Sequence, residues 1–152
     1  MDQRVETKAE PLAIEFCGMR FATPLVLLSG CVGFGEEYTR VAGFSNREVG
    51  AICLKGTTAK PRLGNPPRRL AEAPDGMLNA IGLQNPGVDH VVRNILPTLD
   101  FGETRFFANV CGSTIDEYVE VTRRFDDSPI DNEPAWWIRS LRSMTFRGVS
   151  ES

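Results

Sequence analysis

The sequence has little that would anchor, export or metallate a chain. No apolar run exceeds four residues, as at residues 25–28, against the roughly 20 that a membrane-spanning helix needs. Residues 1–10 are polar and mixed in charge. They lack the apolar stretch and cleavage pattern of a signal peptide and read as a disordered N-terminal tail. There is one histidine, His90, and the four cysteines Cys17, Cys31, Cys53 and Cys111 form no C-x-x-C pair. That spacing argues against zinc and iron–sulfur sites, and reduced thiols in the cytoplasm are the expectation. Net charge is −3, without the basic excess that nucleic acid or an anionic membrane attracts. What remains is 152 residues, 41% apolar and 24% charged, the profile of one ordinary globular domain.

Along the chain, residues 12–16 and 19–22 flank Cys17-Gly18 and suggest a small hairpin. Residues 25–29 and 50–55 are short apolar runs bounded by turn signals, as in strands buried on both faces. Residues 36–44 can form a helix with acids in its first turn. Residues 56–86 hold five prolines and four glycines, and so long an irregular connection is more often functional than decorative. Val88, Val91, Val92, Ile95, Leu96 and Leu99 repeat at helical spacing, with Pro97 set to kink or end the helix. Residues 105–110 read as a third strand. Thr114 with Glu117 is a capping box, and Ile115, Tyr118, Val119 and Phe125 are assigned to one face of the following helix. Strand–helix alternation of this kind implies parallel strands with helical crossovers, in either a doubly wound sheet or part of a (β/α)8 barrel.

Polar residues collect after the strand ends, at Ser29, Lys55 and Asn109, the edge where both architectures bind ligands. Ser29-Gly30 opens a loop, Gly30-Cys31-Val32-Gly33-Phe34-Gly35, that is neither a dinucleotide fingerprint nor a P-loop; a tight turn and a phosphate or ring contact are equally open. Lys55 is a fixed cation for an anionic ligand or a solvated strand-end lysine. Asn79, Gln84 and Asn85 offer three amides for a neutral planar ligand, or they form turns. Arg62, Arg68 and Arg69 among prolines read as a solvated loop face, His90 as a surface residue, and the cysteines as inert packing.

Longer strings carry more. Residues 29–35 (S-G-C-V-G-F-G), 54–58 (L-K-G-T-T), 61–66 (P-R-L-G-N-P) and 76–87 (G-M-L-N-A-I-G-L-Q-N-P-G), followed by Ala108-Asn109-Val110 and Gly112-Ser113, resemble class 1 dihydroorotate dehydrogenases. The N-A-I-G-L-Q-N-P-G phrase is similar to the NAD-dependent 1B branch. The resemblance implies an α/β fold, the N-terminal part of a (β/α)8 TIM barrel, with three βα units after an N-terminal hairpin in residues 11–131. It implies FMN at the C-terminal face, touched by Ser29, Gly30, Lys55, Gly56 and Asn109. Dihydroorotate or orotate is expected on Lys55 and on Asn79, Ala80, Ile81, Gly82 and Leu83. A homodimer core is implied, with electrons passing to NAD through a partner subunit that carries FAD and a 2Fe-2S cluster.

After Asp131 the resemblance stops. Family members continue into a fourth strand and an Asn-x-Ser-Cys-Pro-Asn segment whose cysteine is the general base, whereas residues 132–152 begin Asn132-Glu133-Pro134-Ala135-Trp136-Trp137. These residues are expected to be a non-family tail, out of frame or foreign, leaving no catalytic residue in the chain. Three strands of a closed barrel leave open edges, so the chain is expected to be truncated, inactive and poorly folded on its own. Two other readings are a non-catalytic FMN- or orotate-binding half-barrel and an FMN barrel reductase of the dihydropyrimidine dehydrogenase type; the amide-rich string argues against the latter.

Overall fold

The computed structural model describes residues 12–128. The expected N-terminal tail and the 132–152 segment lie outside the described residues.

The chain opens with a hairpin, β1 (Ile14–Phe16) and β2 (Met19–Phe21), paired antiparallel. Its two turn residues, Cys17 (φ 51°) and Gly18 (φ 72°), both have positive φ, as the tight turns that match strand twist require. Three parallel strands follow: β3 (Val26–Leu27), which leads into the one-turn helix α1 (Ser29–Val32), β4 (Ala51–Cys53) and, after a long excursion, β7 (Arg105–Phe107), side by side in the order β3-β4-β7. Between β4 and β7 a second antiparallel hairpin, β5 (Leu70–Ala73) with β6 (Gly76–Asn79), stands within residues 56–86. That stretch is therefore not irregular throughout. Pro74-Asp75-Gly76 is the turn signal that marks it.

Alternation along the strands gives the sheet two unlike faces. On the outer face Ile52, Leu54, Phe106, Ala108 and Val110 are buried in one cluster with Val88, Val91, Leu96, Val121 and Phe125 from the helical layer. Each side chain of Val, Ile, Leu or Phe size removed from water in this way stabilises the fold by about 1.5–3 kcal/mol. The helical layer is built from α2 (Val88–His90), which continues through wider turns at Val91–Ile95 into a tight turn at Leu96–Thr98, and from α3 (Ile115–Asp126). Pro97 ends the first helical stretch, and Leu99 is extended. Proline has no N–H and clashes with the carbonyl four residues back, so a regular α-helix cannot run through it. At α3 the Thr114 hydroxyl accepts from Glu117 N–H, while the Glu117 carboxylate accepts from Ser113 N–H, one residue outside the usual box. That bond holds the Glu117 carboxyl below the ordinary glutamate range.

Two helical expectations are corrected. Residues 36–44 form only a tight turn at Tyr38–Arg40. The Glu37 carboxylate accepts from Phe34 and Gly35 N–H, so it closes the preceding glycine loop, and Gly43 (φ 85°) turns the chain out of helical conformation. On α3, Val121 is buried and Tyr118 packs on the core, but Ile115 is 81% exposed and Val119 also faces outward. The inward stripe is 118, 121, 125, and residues 115 and 119 begin the neighbouring one. Likewise β3 is not buried on both faces: Leu25, Val26 and Leu28 are exposed, because among the described residues β3 pairs only with β4.

The inner face is covered at its N-terminal end by the first hairpin. Phe21 packs against Phe107, ring centroids 6.1 Å apart, and Arg105 Nε donates to the Arg20 carbonyl at 3.4 Å. Beyond Phe107 this face opens toward the C-terminal strand edge.

Candidate active site at the C-terminal strand edge

The edge is shaped by an irregularity between β4 and β7. Cys53 pairs with Phe107, and the next bridge joins Thr57 to Val110, so four steps on one strand oppose three on the other. The extra residue is accommodated at Lys55-Gly56. Bulges of this type are rare in parallel pairs and serve to re-aim a strand end beside a site. Regular pairing resumes with Thr57 N–H on the Asn109 carbonyl and Cys111 N–H on the Thr57 carbonyl, both at 2.9 Å.

Four separate segments meet there. Asn109 Nδ2 donates to Ser29 Oγ at 3.1 Å, joining the ends of β7 and β3 across β4. Gly56 is buried between them. A Cβ placed on Gly56 would lie 2.8 Å from Leu83 Cδ1, 3.0 Å from Cys111 Sγ and 3.6 Å from Asn109 Nδ2. Only glycine allows so close an approach. Lys55 is half-buried, and among the described residues its ammonium meets no carboxylate. Gly30 is exposed, with open space where a side chain would stand.

The 79–83 stretch is brought in from the second hairpin. Asn79 and Ala80 are exposed at the end of β6, and no hydrogen bond joins the Asn79 side chain to Ser29, Lys55 or Asn109 among the described residues. Ala80 N–H donates to the Arg69 carbonyl, and the Ala80 carbonyl accepts from Asn65 Nδ2. Gly82, at φ 77°, is pressed against Asn65. Leu83 takes φ 53°, a left-handed conformation that costs a branched residue about 1–2 kcal/mol. Of residues 79–83, Leu83 reaches the edge where Lys55 also stands.

Two of the three amides proposed for a ligand are engaged internally. Gln84 Oε1 accepts from Arg69 Nη1 at 2.6 Å. Asn85 is buried and bonded to Thr58, Leu83 and Gly87. Arg62 donates to Ser113 Oγ at 2.8 Å, so it braces the loop after β7. Sequence reasoning missed one member of the edge, Cys111. Burial pushes its thiol above the ordinary cysteine range, and Sγ lies 3.6 Å from Asn109 Oδ1. A protonated thiol in this place donates to the amide and steadies it; it is not poised to take a proton.

Among the described residues no group of three His, Cys, Asp or Glu side chains could hold a metal ion, and no helix is long and apolar enough to cross a membrane.

Comparison with known proteins gives the chain a family. The dihydroorotate dehydrogenase family profile matches residues 11–132. The catalytic subunit of dihydroorotate dehydrogenase B (NAD(+)) from Geobacillus kaustophilus is 49% identical over 118 residues, which are 78% of this chain and 37% of that protein. The same subunit from Listeria monocytogenes is 50% identical over 117 residues, 77% of this chain and 38% of the relative. The chain thus spans under two-fifths of the length of these curated relatives. Among solved structures, dihydroorotate dehydrogenase of Eimeria tenella is similar in its ferulenol complex, with a TM-score of 0.56 at 21% identity over 80% of this chain and 35% of that one. Its ligand-free form gives 0.54 at 20% identity, covering 82% and 37%. At that identity the likeness speaks for the fold, a TIM barrel of which these strands are part.

Proposed function

The chain belongs to the dihydroorotate dehydrogenase family, and from that premise we propose that residues 12–128 carry one side of an FMN- and dihydroorotate-binding edge. The enzyme they serve oxidises dihydroorotate to orotate in pyrimidine biosynthesis. The observation that supports this most is the meeting of Ser29, Gly56, Leu83 and Asn109 from four segments at one strand edge.

The residues suit a flat heterocycle stacked on a flavin. Gly56 leaves backbone where a side chain would block a ring. Asn109 and Ser29 supply neutral donors and acceptors. Lys55, half-buried and without a carboxylate partner among the described residues, supplies the fixed cation that an anionic substrate or reduced flavin calls for. Residues 79–83 supply backbone and the Asn79 amide along the substrate. FMN, when bound, supplies the hydride acceptor. Proton abstraction from the substrate ring is assigned, with the family, to a cysteine outside residues 12–128; Cys111, whose thiol burial pushes up, is not given that role. Gly30 lies on the same side and is assigned to the flavin.

The relatives' names carry the rest of the proposal. A catalytic subunit of an NAD(+) enzyme calls for an electron-transfer partner, which we assign FAD and a 2Fe-2S cluster. A homodimeric, cytoplasmic enzyme is part of the same reading. Because the three parallel strands among the described residues leave the inner face open, the 152-residue polypeptide alone is proposed not to turn over dihydroorotate.

A chimera tests the assignment. Residues 12–128 replace the matching residues of the Geobacillus kaustophilus relative. The product is expected to purify with bound FMN, and its flavin absorbance should bleach on addition of dihydroorotate. A folded chimera that is colourless, or whose flavin ignores dihydroorotate, contradicts the proposal.

A further inference from the structure

Asn85 is 5% exposed and sits between the strand-end segment 57–62 and the segment 83–87. Its backbone pairs with Arg62 in both directions, at 2.9 and 3.0 Å. Its side chain is occupied on both ends. Oδ1 accepts from Thr58 N–H at 3.1 Å and from Gly87 N–H at 2.9 Å, while Nδ2 donates to the Leu83 carbonyl at 2.9 Å and to Thr58 Oγ1 at 3.0 Å. The Thr58 hydroxyl proton goes to the Lys60 carbonyl at 2.6 Å, which leaves its oxygen free to accept. The amide cannot be turned round: its NH2 would then face two backbone N–H donors. One donor, Nδ2, therefore ties the Leu83 carbonyl to the segment that carries Lys55 and Gly56.

Leu83 is also the residue at positive φ whose side chain closes on Gly56. Strain of this kind persists only where surrounding bonds over-determine it, and it gathers at ligand sites. We propose that Asn85 is a positioning residue, whose side-chain donor holds Leu83 left-handed against Gly56 and so sets the shape of the flavin edge. This inference rests on the reading of that edge as a flavin site, but the holding bond is separable from it.

Asn85→Asp keeps the size and both acceptor bonds, removes the bonds that Nδ2 donates to the Leu83 carbonyl and to Thr58 Oγ1, and sets a carboxylate oxygen against those two acceptors. In the full 152-residue chain, amide hydrogen exchange in a peptide spanning residues 79–87 should rise at least about tenfold, as for the loss of a buried amide donor with two partners. Peptides within residues 88–98 and 115–126 should not change. FMN affinity of the chimera carrying the same substitution, read by fluorescence quenching of the free flavin, should fall about tenfold. In a Leu83→Gly background, where glycine takes positive φ without strain, Asn85→Asp should change FMN affinity about twofold or less. Unchanged exchange at 79–87 overturns the proposal, as does raised exchange with unchanged FMN affinity. Loss of protection throughout the chain overturns it too, because the role would then be general stability. If the chimera with Asn85 in place binds no FMN while exchange rises only at 79–87, the holding bond is supported and the flavin reading fails.

Discussion

The two faces of the three-stranded sheet are made by neighbouring residues and behave as opposites. Phe106 and Phe107 are adjacent in β7; Phe106 is 2% exposed inside the helical layer, and Phe107 is half-buried beneath the first hairpin. Past them, Ala108 and Val110 stay in the outer cluster, while Asn109 and Cys111 reach the open inner edge. One alternating strand thus serves packing with every second residue and ligand chemistry with the rest. The difference teaches where each kind of substitution should be felt. Changes on the outer face act on folding, and changes at the inner edge act on binding.

The largest expected effect comes from setting the two phenylalanines against each other. Phe106→Ala should cost about 3–5 kcal/mol, most of the stability of so small a unit. Phe107→Ala should cost about 1 kcal/mol, the middle of the range for point substitutions. Urea unfolding followed by circular dichroism reads both, and equal losses would break the contrast between faces. A smaller effect sharpens it. Thr114→Ala removes the side-chain cap of α3, worth about 1 kcal/mol. It belongs to the outer layer, so the same unfolding curve should shift while FMN affinity stays put; a matching loss of FMN affinity would show the two faces to be coupled.

Much of this division was legible in the sequence. The apolar runs gave the parallel strands, Thr114 and Glu117 gave the start of α3, and Pro97 gave the end of the preceding helix. Ser29 and Asn109 could be named because a polar residue just past an apolar strand falls at the ligand edge. What escaped depends on tertiary detail. Glu37 is drawn to the Phe34 and Gly35 amides, and no helix forms over 36–44. The β5–β6 hairpin was hidden inside a proline-rich stretch despite its Pro-Asp-Gly turn. Asn85 looked like a ligand amide, and only the positions of Thr58, Gly87 and Leu83 show that it is committed to them. The approach of Gly56 to Leu83 follows from one surplus residue in the β4–β7 pairing, which no local pattern announces.

The account turns on Gly56 as the bare spot around which the edge closes, and FMN titration of the Gly56→Val chimera tests it most directly. A side chain would press on Leu83 Cδ1 and Cys111 Sγ in a buried place, so the urea midpoint should fall as for about 1–3 kcal/mol of overpacking, and the chimera that remains folded is the species titrated. FMN affinity should fall by about 100-fold, close to 2.7 kcal/mol. A chimera that binds FMN as tightly with valine as with glycine would contradict the account.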